Sequence, residues 1–412
     1  MDPVSETKTG EQSETWIRAP DSGWIDSAPA FSPDRRSLAF VRTLSILDSD
    51  VFVLPLNAGF IPSHEPRRVS SLHRLTQGLA WTRDGREIVF AAGPLGASRL
   101  WRVSVAGGSD PRPLAFAPEN TVSPTISSQG QLAYGISPSD SNVWRMPLNA
   151  PGQPQRWIAS TRDDSDAQYS PNGQSILFLS NRSGSNEIWI ANADGSNAWK
   201  LTDLHTSAVG WPHWSPDGSN IVFDSNRGGS FDVFVIGAAG GQLRKLTDGK
   251  VPCGAANYSS DGSWIYYHCI EAGARQMWRM PAQGGPPKRI VPGFAQIESP
   301  DRSLYFQRFT REGVRPLFHM PVDAEDGTEI LPNVEPFNYA VTPGGIYFST
   351  PRDDSGRCFI RFLHLASGKV STVGTYIGRP APGISVSPDG KWLLYSYDEQ
   401  RSADLMLVED FR

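Results

Sequence analysis

Short apolar runs separated by polar turns recur along the whole chain. Each run holds about five residues rich in β-branched and aromatic side chains, such as SILFL at 175–179 and NIVFD at 220–224. These residue types favour the pleated, packed surface of a sheet. No segment keeps a period of 3.6 residues over three turns, so the pattern predicts an all-β protein with almost no helix.

A small turn precedes each apolar run and marks a repeat, and we call it the anchor turn. In its fullest form it reads S-P-D-G: Pro presets φ, Asp bonds the nearby backbone and Gly adopts a positive φ. The two best copies, Tyr169–Asp203 and Trp214–Asp248, align without a gap. Anchor turns begin at Phe31, Trp81, Ile126, Tyr169, Trp214, Tyr258, Glu298, Val341 and Val386.

The nine anchor turns lie roughly 40 to 50 residues apart, which is the spacing of β-propeller blades. Each is followed by an apolar strand, a polar turn, a third strand and a weaker fourth strand. The runs are apolar on both faces, as expected for a blade that its neighbours cover on both sides. The sequence therefore predicts a single β-propeller of four-stranded antiparallel blades, nine in number, with eight as the alternative.

The last repeat unit has no visible fourth strand after DLMLVED at 404–410. A segment near the N-terminus, Glu14–Pro20 (ETWIRAP), resembles the fourth strand QRWIAS at Gln155–Ser160. We therefore expect residues 14–412 to form the propeller, with Glu14–Pro20 closing the ring as the missing strand. Residues 1–13 are polar and are expected to be disordered.

The repeat resembles that of a known family. S-P-D-G, an apolar strand ending in F-x-S-x-R, then I-W and L-T-D, as written within 169–248, is similar to the WD40-like (PD40-type) repeats of TolB. Related repeats form the non-catalytic propellers of prolyl-oligopeptidase-type and tricorn-type peptidases. SNVWRMPL at 141–148 and SADLMLVEDFR at 402–412 also look like bacterial regulators in which a propeller follows a winged-helix domain and a membrane segment. The resemblance implies a propeller fold and leaves the function open.

Charge and composition narrow the partners and the compartment. The formal net charge is −5 and no long basic run occurs, so we expect no direct binding of nucleic acid. No signal-peptide core and no membrane-spanning run is visible, which predicts a cytoplasmic chain as written, or a periplasmic one if the chain comes from an exported or membrane-anchored parent. The three cysteines form no disulfide framework, although Cys253 and Cys269 could meet across a hairpin.

The sequence offers few candidates for catalysis. It lacks the G-x-S-x-G elbow of serine hydrolases and the S-x-D-x-G-x-x-W box of sialidases. Asp163, Asp164 and Asp166 precede the fourth anchor turn, and three clustered carboxylates could hold calcium. A solvated acidic loop that bonds backbone amides gives the same pattern. We predict no metal and no cofactor, and keep the three aspartates as candidate binding residues.

Two histidines and a tryptophan lie close together before the fifth anchor turn. His205 and His213 flank TSAVGWP, which contains Trp211. Connecting loops of this kind carry binding residues in many folds, so these side chains could contact a ligand or act as an acid and a base. Packing is the simpler role for each of them. They complete the candidate binding set, in which no residue is predicted to be catalytic.

The leading interpretation is a non-enzymatic, monomeric scaffold that binds a protein or peptide at one face of the ring. Such a propeller could be the sensor or interaction module of a bacterial regulator or envelope system. The alternative is an enzyme or small-ligand binder of lactonase or lyase type that uses the central channel. The lack of a compact acid–base or metal constellation in the sequence favours the scaffold.

Overall fold

The structure is a computed structural model, and its described residues form strands, turns and loops. No helix among them has the length and apolarity needed to cross a bilayer. The prediction of an all-β fold is confirmed. The described residues are 5–6, 14–15, 25–45, 48–72, 74–93, 97–107, 110–149, 152–204, 208–271, 274–310, 313–399 and 403–411.

Most strands are four to nine residues long, as short as the apolar runs predict. The strands before residue 140 are β1 (Ser5–Glu6), β2 (Glu14–Thr15), β3 (Ile25–Phe31), β4 (Ser37–Ser45), β5 (Asp48–Pro55), β6 (Arg67–Arg68), β7 (Leu75–Trp81), β8 (Glu87–Gly93), β9 (Arg99–Ser104), β10 (Arg112–Pro113), β11 (Thr121–Ile126) and β12 (Leu132–Ile136). The next strands are β13 (Ser141–Pro147), β14 (Gln155–Ile158), β15 (Asp164–Tyr169), β16 (Ser175–Ser180), β17 (Glu187–Asn192), β18 (Trp199–Lys200), β19 (Val209–Trp214), β20 (Asn220–Ser225), β21 (Asp232–Gly237), β22 (Arg244–Lys245), β23 (Cys253–Tyr258), β24 (Trp264–Glu271), β25 (Ala274–Pro281) and β26 (Lys288–Pro292). The remaining strands are β27 (Phe294–Glu298), β28 (Ser303–Gln307), β29 (Leu317–Pro321), β30 (Thr328–Leu331), β31 (Tyr339–Thr342), β32 (Gly345–Ser349), β33 (Arg357–His364), β34 (Val370–Ile377), β35 (Arg379–Val386), β36 (Trp392–Asp398) and β37 (Asp404–Val408).

Apart from the short pair β1–β2, these strands form nine antiparallel sheets in two compact units. Unit 1 comprises residues 1–138 and 403–412 and holds sheet A (β3–β4–β5–β6), sheet B (β7–β8–β9–β10) and sheet C (β11–β12–β37). Unit 2 comprises residues 139–402. It holds sheet D (β35–β36–β13–β14), sheet E (β15–β18), sheet F (β19–β22), sheet G (β23–β26), sheet H (β27–β30) and sheet I (β31–β34).

Each sheet has one strand that ends at an anchor turn, and we call it the inner strand. The nine inner strands are β3, β7, β11, β15, β19, β23, β27, β31 and β35. The repeat found in the sequence therefore marks the same place in every sheet. Six of the nine anchor turns contain a Pro, and all nine contain a Gly or an Arg, between the inner strand and the next, more apolar strand.

The six sheets of unit 2 pack face to face in a closed ring. Six clusters of buried apolar side chains lie between neighbouring sheets, in the order D–E, E–F, F–G, G–H, H–I and I–D. The central strands supply fully buried aromatic side chains such as Phe178, Phe223 and Phe306. Because the last cluster returns to sheet D, both faces of every sheet in this unit are covered.

Sheet D joins the two ends of unit 2 and corrects the predicted closure. Its strand β36 pairs with β13, with Val143 opposite Ser396. The predicted closing strand, Glu14–Pro20, does not fill this place: Glu14–Thr15 pairs with Ser5–Glu6, and residues 16–20 lie outside the described residues. Sheet D would otherwise end at β36, so β13 and β14 complete it. The prediction of one nine-bladed ring is not confirmed, because the nine sheets divide between two units.

Aromatic side chains reinforce the junction in sheet D. The guanidinium of Arg145 lies 3.0 Å from the ring centre of Trp157 and 3.9 Å from that of Trp392, so it joins β13 to both neighbouring strands. The rings of Trp144 and Tyr397 stack with their centres 5.7 Å apart. These contacts bury large surfaces on strands that are far apart in the sequence, which is where closure needs stabilisation.

Sheet C lacks the two strands, β13 and β14, that complete sheet D. The sequence assigns β13 and β14 to the same unit as β11 and β12, but β12 pairs with β37 instead. Sheet C has three strands where the other eight sheets have four. Its outer strand β37 leaves Leu405, Met406 and Leu407 exposed. Strand similarity within the repeat permits this exchange, because each third strand is an interchangeable apolar segment.

The three cysteines fall into two states. Cys253 on β23 and Cys269 on β24 are directly opposite each other, with Cα atoms 4.0 Å apart, and form a disulfide. The thiol of Cys358 is free and buried on β33. Burial raises the pKa of this thiol to about 11, so it stays protonated and unreactive near neutral pH.

The anchor turn has the geometry that its residues predict. Gly218 has a φ of +71°, and its N–H donates to the carbonyl of Ser215. The Asp217 carboxylate accepts hydrogen bonds from the hydroxyl of Ser215 and the N–H of Ser219. In the anchor turn that begins at Glu298, Arg302 occupies the glycine position with a φ of +62°. A side chain there is strained, since left-handed backbone suits glycine.

We predict opposite effects for two substitutions at this turn position. Gly218→Val should lower the free energy of unfolding by about 1–3 kcal/mol, because a β-branched residue is forced to positive φ. Arg302→Gly should raise it by about 0.5–1 kcal/mol, because the strain is removed at some entropic cost. Urea unfolding measures both. Gly218→Asn is the control, since Asn tolerates this conformation, and a valine variant as stable as the Asn variant would contradict the account.

Candidate functional site

One cavity of about 390 Å³ lies at the centre of unit 2. Residues from the inner strands of all six sheets, or from the positions next to them, form its wall. No Lys or Arg is among these residues. The wall includes the polar and aromatic side chains of Asp166, Gln168, Trp211, His213, Gln296 and Phe337.

A bulge in the inner strand aims side chains at this cavity. The pairing register shifts within eight of the nine inner strands, and one residue in each shift has a positive φ. A bulge bends its strand and redirects the side chains beside it. The left-handed residue stands three positions before the start of the anchor turn. It is Ala28, Gly78, Ser123, Asp166, Trp211, Ala255, Ala295 or Gly383.

Asp166 and Trp211 are exceptional at this repeated position. The other six sheets place Ala, Gly or Ser there, which suits left-handed backbone in a crowded strand. Trp211 has a φ of +43°, and bulky side chains rarely adopt this conformation. The bulge itself does not need a carboxylate or an indole, because smaller residues form it elsewhere. Strained residues of this kind concentrate at functional sites, so the two side chains mark this part of the cavity.

Asp166 is a buried carboxyl without a cationic partner among the described residues. It is 8% exposed, and it lines the cavity beside Gly383, where a Cβ would lie 2.6 Å from the Cα of Asp166. Burial raises the pKa of Asp166 to about 7, and the backbone N–H of Trp211 offsets this in part. The carboxyl is therefore close to half ionised at neutral pH, which is a common property of acid–base and binding sites.

A second carboxyl, Asp224, lies next to Asp166. It is fully buried on β20, and one of its oxygens accepts the N–H of Ala255 at 2.9 Å. Its Oδ2 has no hydrogen-bond partner among the described residues. Burial, with a smaller effect of Asp166, raises the pKa of Asp224 well above its usual value, which favours the protonated carboxyl. A Cβ at Gly254 would lie 2.9 Å from the Asp224 carboxyl carbon, so this carboxyl requires glycine beside it.

His213 is held in one tautomer by Gln168. The Gln168 oxygen accepts the N–H of Trp214 at 3.1 Å, so its amide nitrogen faces His213 Nδ1, 2.6 Å away, and donates to it. The proton of the neutral ring then resides on Nε2. Burial lowers the pKa of His213 to about 4, so the ring is neutral at physiological pH and offers the cavity one donor.

Two aromatic rings and two unpartnered polar atoms complete the wall. The rings of Trp211 and Phe337 lie with their centres 4.6 Å apart. The indole N–H of Trp211 has no acceptor among the described residues. Gln296 donates from its amide nitrogen to the carbonyl of Ala255 at 2.6 Å, and its Oε1 has no donor. Buried polar groups are normally paired, so these atoms indicate a surface that binds something.

The remaining predicted site residues do not join this cavity. Asp163 accepts the hydroxyl of Ser139 at 2.6 Å and the N–H of Ser141 at 3.0 Å, which fixes the start of β13. Asp164 is fully buried and pairs with Arg182 at 2.7 Å. The aspartates thus have separate partners, and no cluster of three metal-ligating side chains occurs in the described part of the chain. His205 lies outside the described residues.

Four residues at this site are not among those predicted from the sequence: Gln168, Asp224, Gln296 and Phe337. Two signals could have found some of them. Asp224 ends the run NIVFD, where a charged residue follows the three apolar residues Ile221, Val222 and Phe223. Comparing the repeats position by position would also have shown that Asp166 and Trp211 stand at the same place before their anchor turns. Nothing in the sequence points to Phe337, which lies in the turn before β31.

The described side chains at the cavity do not form a hydrolytic arrangement. The hydroxyl of Ser385 accepts the N–H of Tyr169, and that of Ser387 donates to Asp389 at 2.6 Å. His213 is engaged by Gln168 rather than by a nucleophile. A serine nucleophile would need a base within hydrogen-bond reach. The arrangement therefore suits recognition through one ionisable carboxyl, neutral donors and aromatic faces.

We predict that Asp166→Asn stabilises the protein at neutral pH. An unfolded Asp ionises near pH 3.9, whereas folded Asp166 keeps its proton until about pH 7. Between these values the unfolded state loses a proton that the folded state retains, so the stability of the wild type falls as pH rises. The gain in the variant should grow from pH 4 to pH 7 and then stay constant at no more than about 4 kcal/mol. Thermal unfolding across this range measures it.

Asn is a conservative choice at position 166, because it keeps a side-chain oxygen for the backbone N–H of Trp211 and tolerates left-handed backbone. The control is Asp194→Asn, at an exposed position in unit 2. The control should show no gain that grows with pH. A pH-independent difference between Asp166→Asn and the wild type would show that this carboxyl is ionised in the folded protein as it is in the unfolded chain.

Comparisons with known proteins agree with the architecture. A family model described as the TolB beta propeller domain matches residues 12–209 and 203–303. A structure assigned as TolB from Agrobacterium tumefaciens is 18% identical to this chain. The alignment covers 64% of this chain and all of the Agrobacterium chain, with a TM-score of 0.54. TolB from Acinetobacter baumannii is 12% identical, and the alignment covers 70% of this chain and 83% of the Acinetobacter chain, with a TM-score of 0.47.

A puromycin hydrolase is 13% identical over 77% of this chain and 57% of its own, with a TM-score of 0.43. At these identities the similarity to the Agrobacterium protein shows the fold, and none of the three says what this chain binds. The family model spans most of the chain, and the resemblance read from the repeats is confirmed. The chain belongs to the TolB beta propeller domain family.

Proposed function

We propose that unit 2 is a non-enzymatic scaffold that receives a segment of a protein or peptide in its central cavity. The observation that carries this proposal is the cavity wall itself. It combines two aromatic rings in contact, one buried carboxyl and polar atoms on Trp211 and Gln296 that have no partner among the described residues. Trp is enriched among the residues that dominate binding energy at interfaces, and buried polar groups set the register of a bound segment.

The rigidity of the ring supports the same role. Every sheet of unit 2 is covered on both faces, so the six inner strands hold the cavity residues in fixed positions. A site built on strands needs little ordering when it binds, and this saves conformational entropy. An interaction module of a bacterial regulator or envelope system would use such a preformed site.

A small-ligand enzyme is the second candidate, and one observation favours it. Asp166 and Asp224 lie together, and burial raises the pKa of both carboxyls. Acid–base catalysts have pKa values tuned in this way. The scaffold remains the better supported function, because the described cavity residues include no activated nucleophile and no metal-ligand cluster. Turnover of a lactone or uronide substrate that is lost in Asp166→Asn would establish the enzyme instead.

Peptide display tests the scaffold. Peptides selected on the full chain should bind it, and the triple variant Asp166→Ala/Trp211→Ala/His213→Ala should lose affinity by roughly 30-fold, the effect of removing one or two hot-spot side chains. Alanine should preserve the fold at positions 166 and 211, because other sheets carry it at the same bulge. Isothermal titration calorimetry measures each dissociation constant.

The matched control replaces the same residue types on the outer surface of unit 2. Asp194→Ala/Trp199→Ala/His364→Ala changes three exposed residues outside the cavity. It should bind the selected peptides as tightly as the wild type. Equal affinity of the cavity variant and this control would place the binding surface elsewhere and remove the basis of the proposal.

The disulfide supports an oxidising compartment, which is the periplasmic alternative of the sequence analysis. Disulfides persist in exported proteins and are rare in the cytosol. We predict that the natural protein, denatured without a reductant, exposes one thiol to Ellman's reagent, that of Cys358, and three after reduction. Three thiols before reduction would favour the cytoplasm. The variant Cys358→Ser should react only after reduction.

A further inference from the structure

When Asp166 is ionised, the cavity carries a negative charge that no described residue of its wall balances. Asp166 is the one carboxyl among the cavity residues, which include no Lys or Arg. Beyond the backbone N–H of Trp211, no donor among the described residues contacts its carboxylate. Burying an unpaired charge is unfavourable, so the protein sacrifices stability at this point. A ligand that carries a positive charge would pair with the carboxylate and restore this stability.

A second acceptor lies in the same wall. Gln296 is 2% exposed and has an Oε1 without a donor, while its amide nitrogen is fixed on the Ala255 carbonyl. That bond sets the orientation of the amide, so its oxygen is the group free to bind. Two acceptors in one cavity call for a ligand with several N–H donors, and ammonium and guanidinium groups have three and five.

Aromatic and aliphatic side chains define the rest of the ligand. The Trp211 and Phe337 rings lie together in the wall, and ring faces attract cations within about 6 Å. Ile297 and the alanines of the bulges add apolar surface. An anion would meet the carboxylate of Asp166 and only neutral donors, on Trp211 and His213. The wall therefore favours a cationic head on a slender apolar stem.

We propose that the cavity binds a primary ammonium or guanidinium group at Asp166 and Gln296, with its alkyl stem against Trp211 and Phe337. This proposal deepens the proposed function and rests on it in one respect. If the cavity receives a segment of a protein, the cation is a Lys or Arg side chain of that segment. A free alkylamine has the same chemistry, and the experiment separates the two sources.

The site should depend on pH through one group. The titratable groups at or beside the cavity are Asp166, Asp224, His213 and Tyr339. Burial keeps Tyr339 protonated and His213 neutral near pH 7, and it raises the pKa of Asp224 well above its usual value. Of the three groups that line the cavity, Asp166 is the one that changes charge near pH 7, because its pKa is about 7. A cation binds the ionised form, so its affinity should rise about tenfold from pH 6 to pH 8 and then level off.

Calorimetry with simple probes tests this on the full chain. n-Butylammonium and n-butylguanidinium chloride carry the charge, and 1-butanol is the neutral probe of similar size. Both cations should bind at pH 8 at least tenfold more tightly than 1-butanol. Asp166→Asn should lose this preference while Asp194→Asn keeps it. Equal binding of butylammonium and 1-butanol by the wild type would overturn the proposal without relying on any variant.

Capped peptides distinguish the sources of the cation. If acetyl-Gly-Lys-Gly-amide binds at least tenfold more tightly than butylammonium, and the norleucine peptide does not, the cation belongs to a protein segment. Tighter binding of butylammonium than of the lysine peptide assigns the site to free amines, which keeps this proposal and removes the scaffold function. If display-selected peptides occupy the cavity but lack Lys and Arg, the scaffold function stands and the cation proposal fails.

Discussion

Two antiparallel strands from opposite ends of unit 2, β13 and β36, hold its ring of sheets together. Without this pairing sheet D would end at β36 and would expose the row of hydrogen-bonding groups along its edge. The sixth apolar cluster, between sheets I and D, includes Met146 of β13, so this cluster also depends on the junction. Arg145, between the indoles of Trp157 and Trp392, adds side-chain contacts to the backbone pairing.

The central cavity follows from this closure. Six inner strands can face one space only if the sheets return to their starting point, and the repeated bulge then turns one residue of most strands toward the centre. The repeats also act as an internal comparison: Ala255 and Ala295 show what the bulge needs, and Asp166 and Trp211 show what it does not need. The destabilising carboxyl and the strained indole are therefore best explained by recognition, which proteins often gain at the expense of stability.

Much of the fold could be predicted because the anchor turn has strong local chemistry. Pro, Asp and Gly fix a turn by themselves, and Gly218 adopts the predicted positive φ. The closure could not be predicted, because β13 has the composition of any third strand and sequence order placed it beside β12. Its true partner lies about 250 residues away, and similar apolar strands give no signal that separates the two pairings.

The candidate site could be predicted only in part, for a related reason. Asp163, Asp164 and Asp166 look equivalent in the sequence, but strand alternation and the bulge send them to β13, to Arg182 and to the cavity. Ala, Ser and Trp do not signal left-handed backbone and Asp signals it only weakly, so the bulge is visible only in the pairing register. The residue types in the sequence group the acids with Trp211 and His213, but they do not rank the three carboxyls.

A disulfide between β13 and β36 would test the closure most directly. Val143 and Ser396 are buried and directly opposite each other, and both are close to cysteine in size. In a Cys358→Ser background, Val143→Cys with Ser396→Cys should oxidise to a linked peptide that mass spectrometry detects and that reduction separates. The closure would be contradicted if this link failed to form and Val143→Cys instead linked to Tyr134→Cys on β12, the partner that sequence order favours.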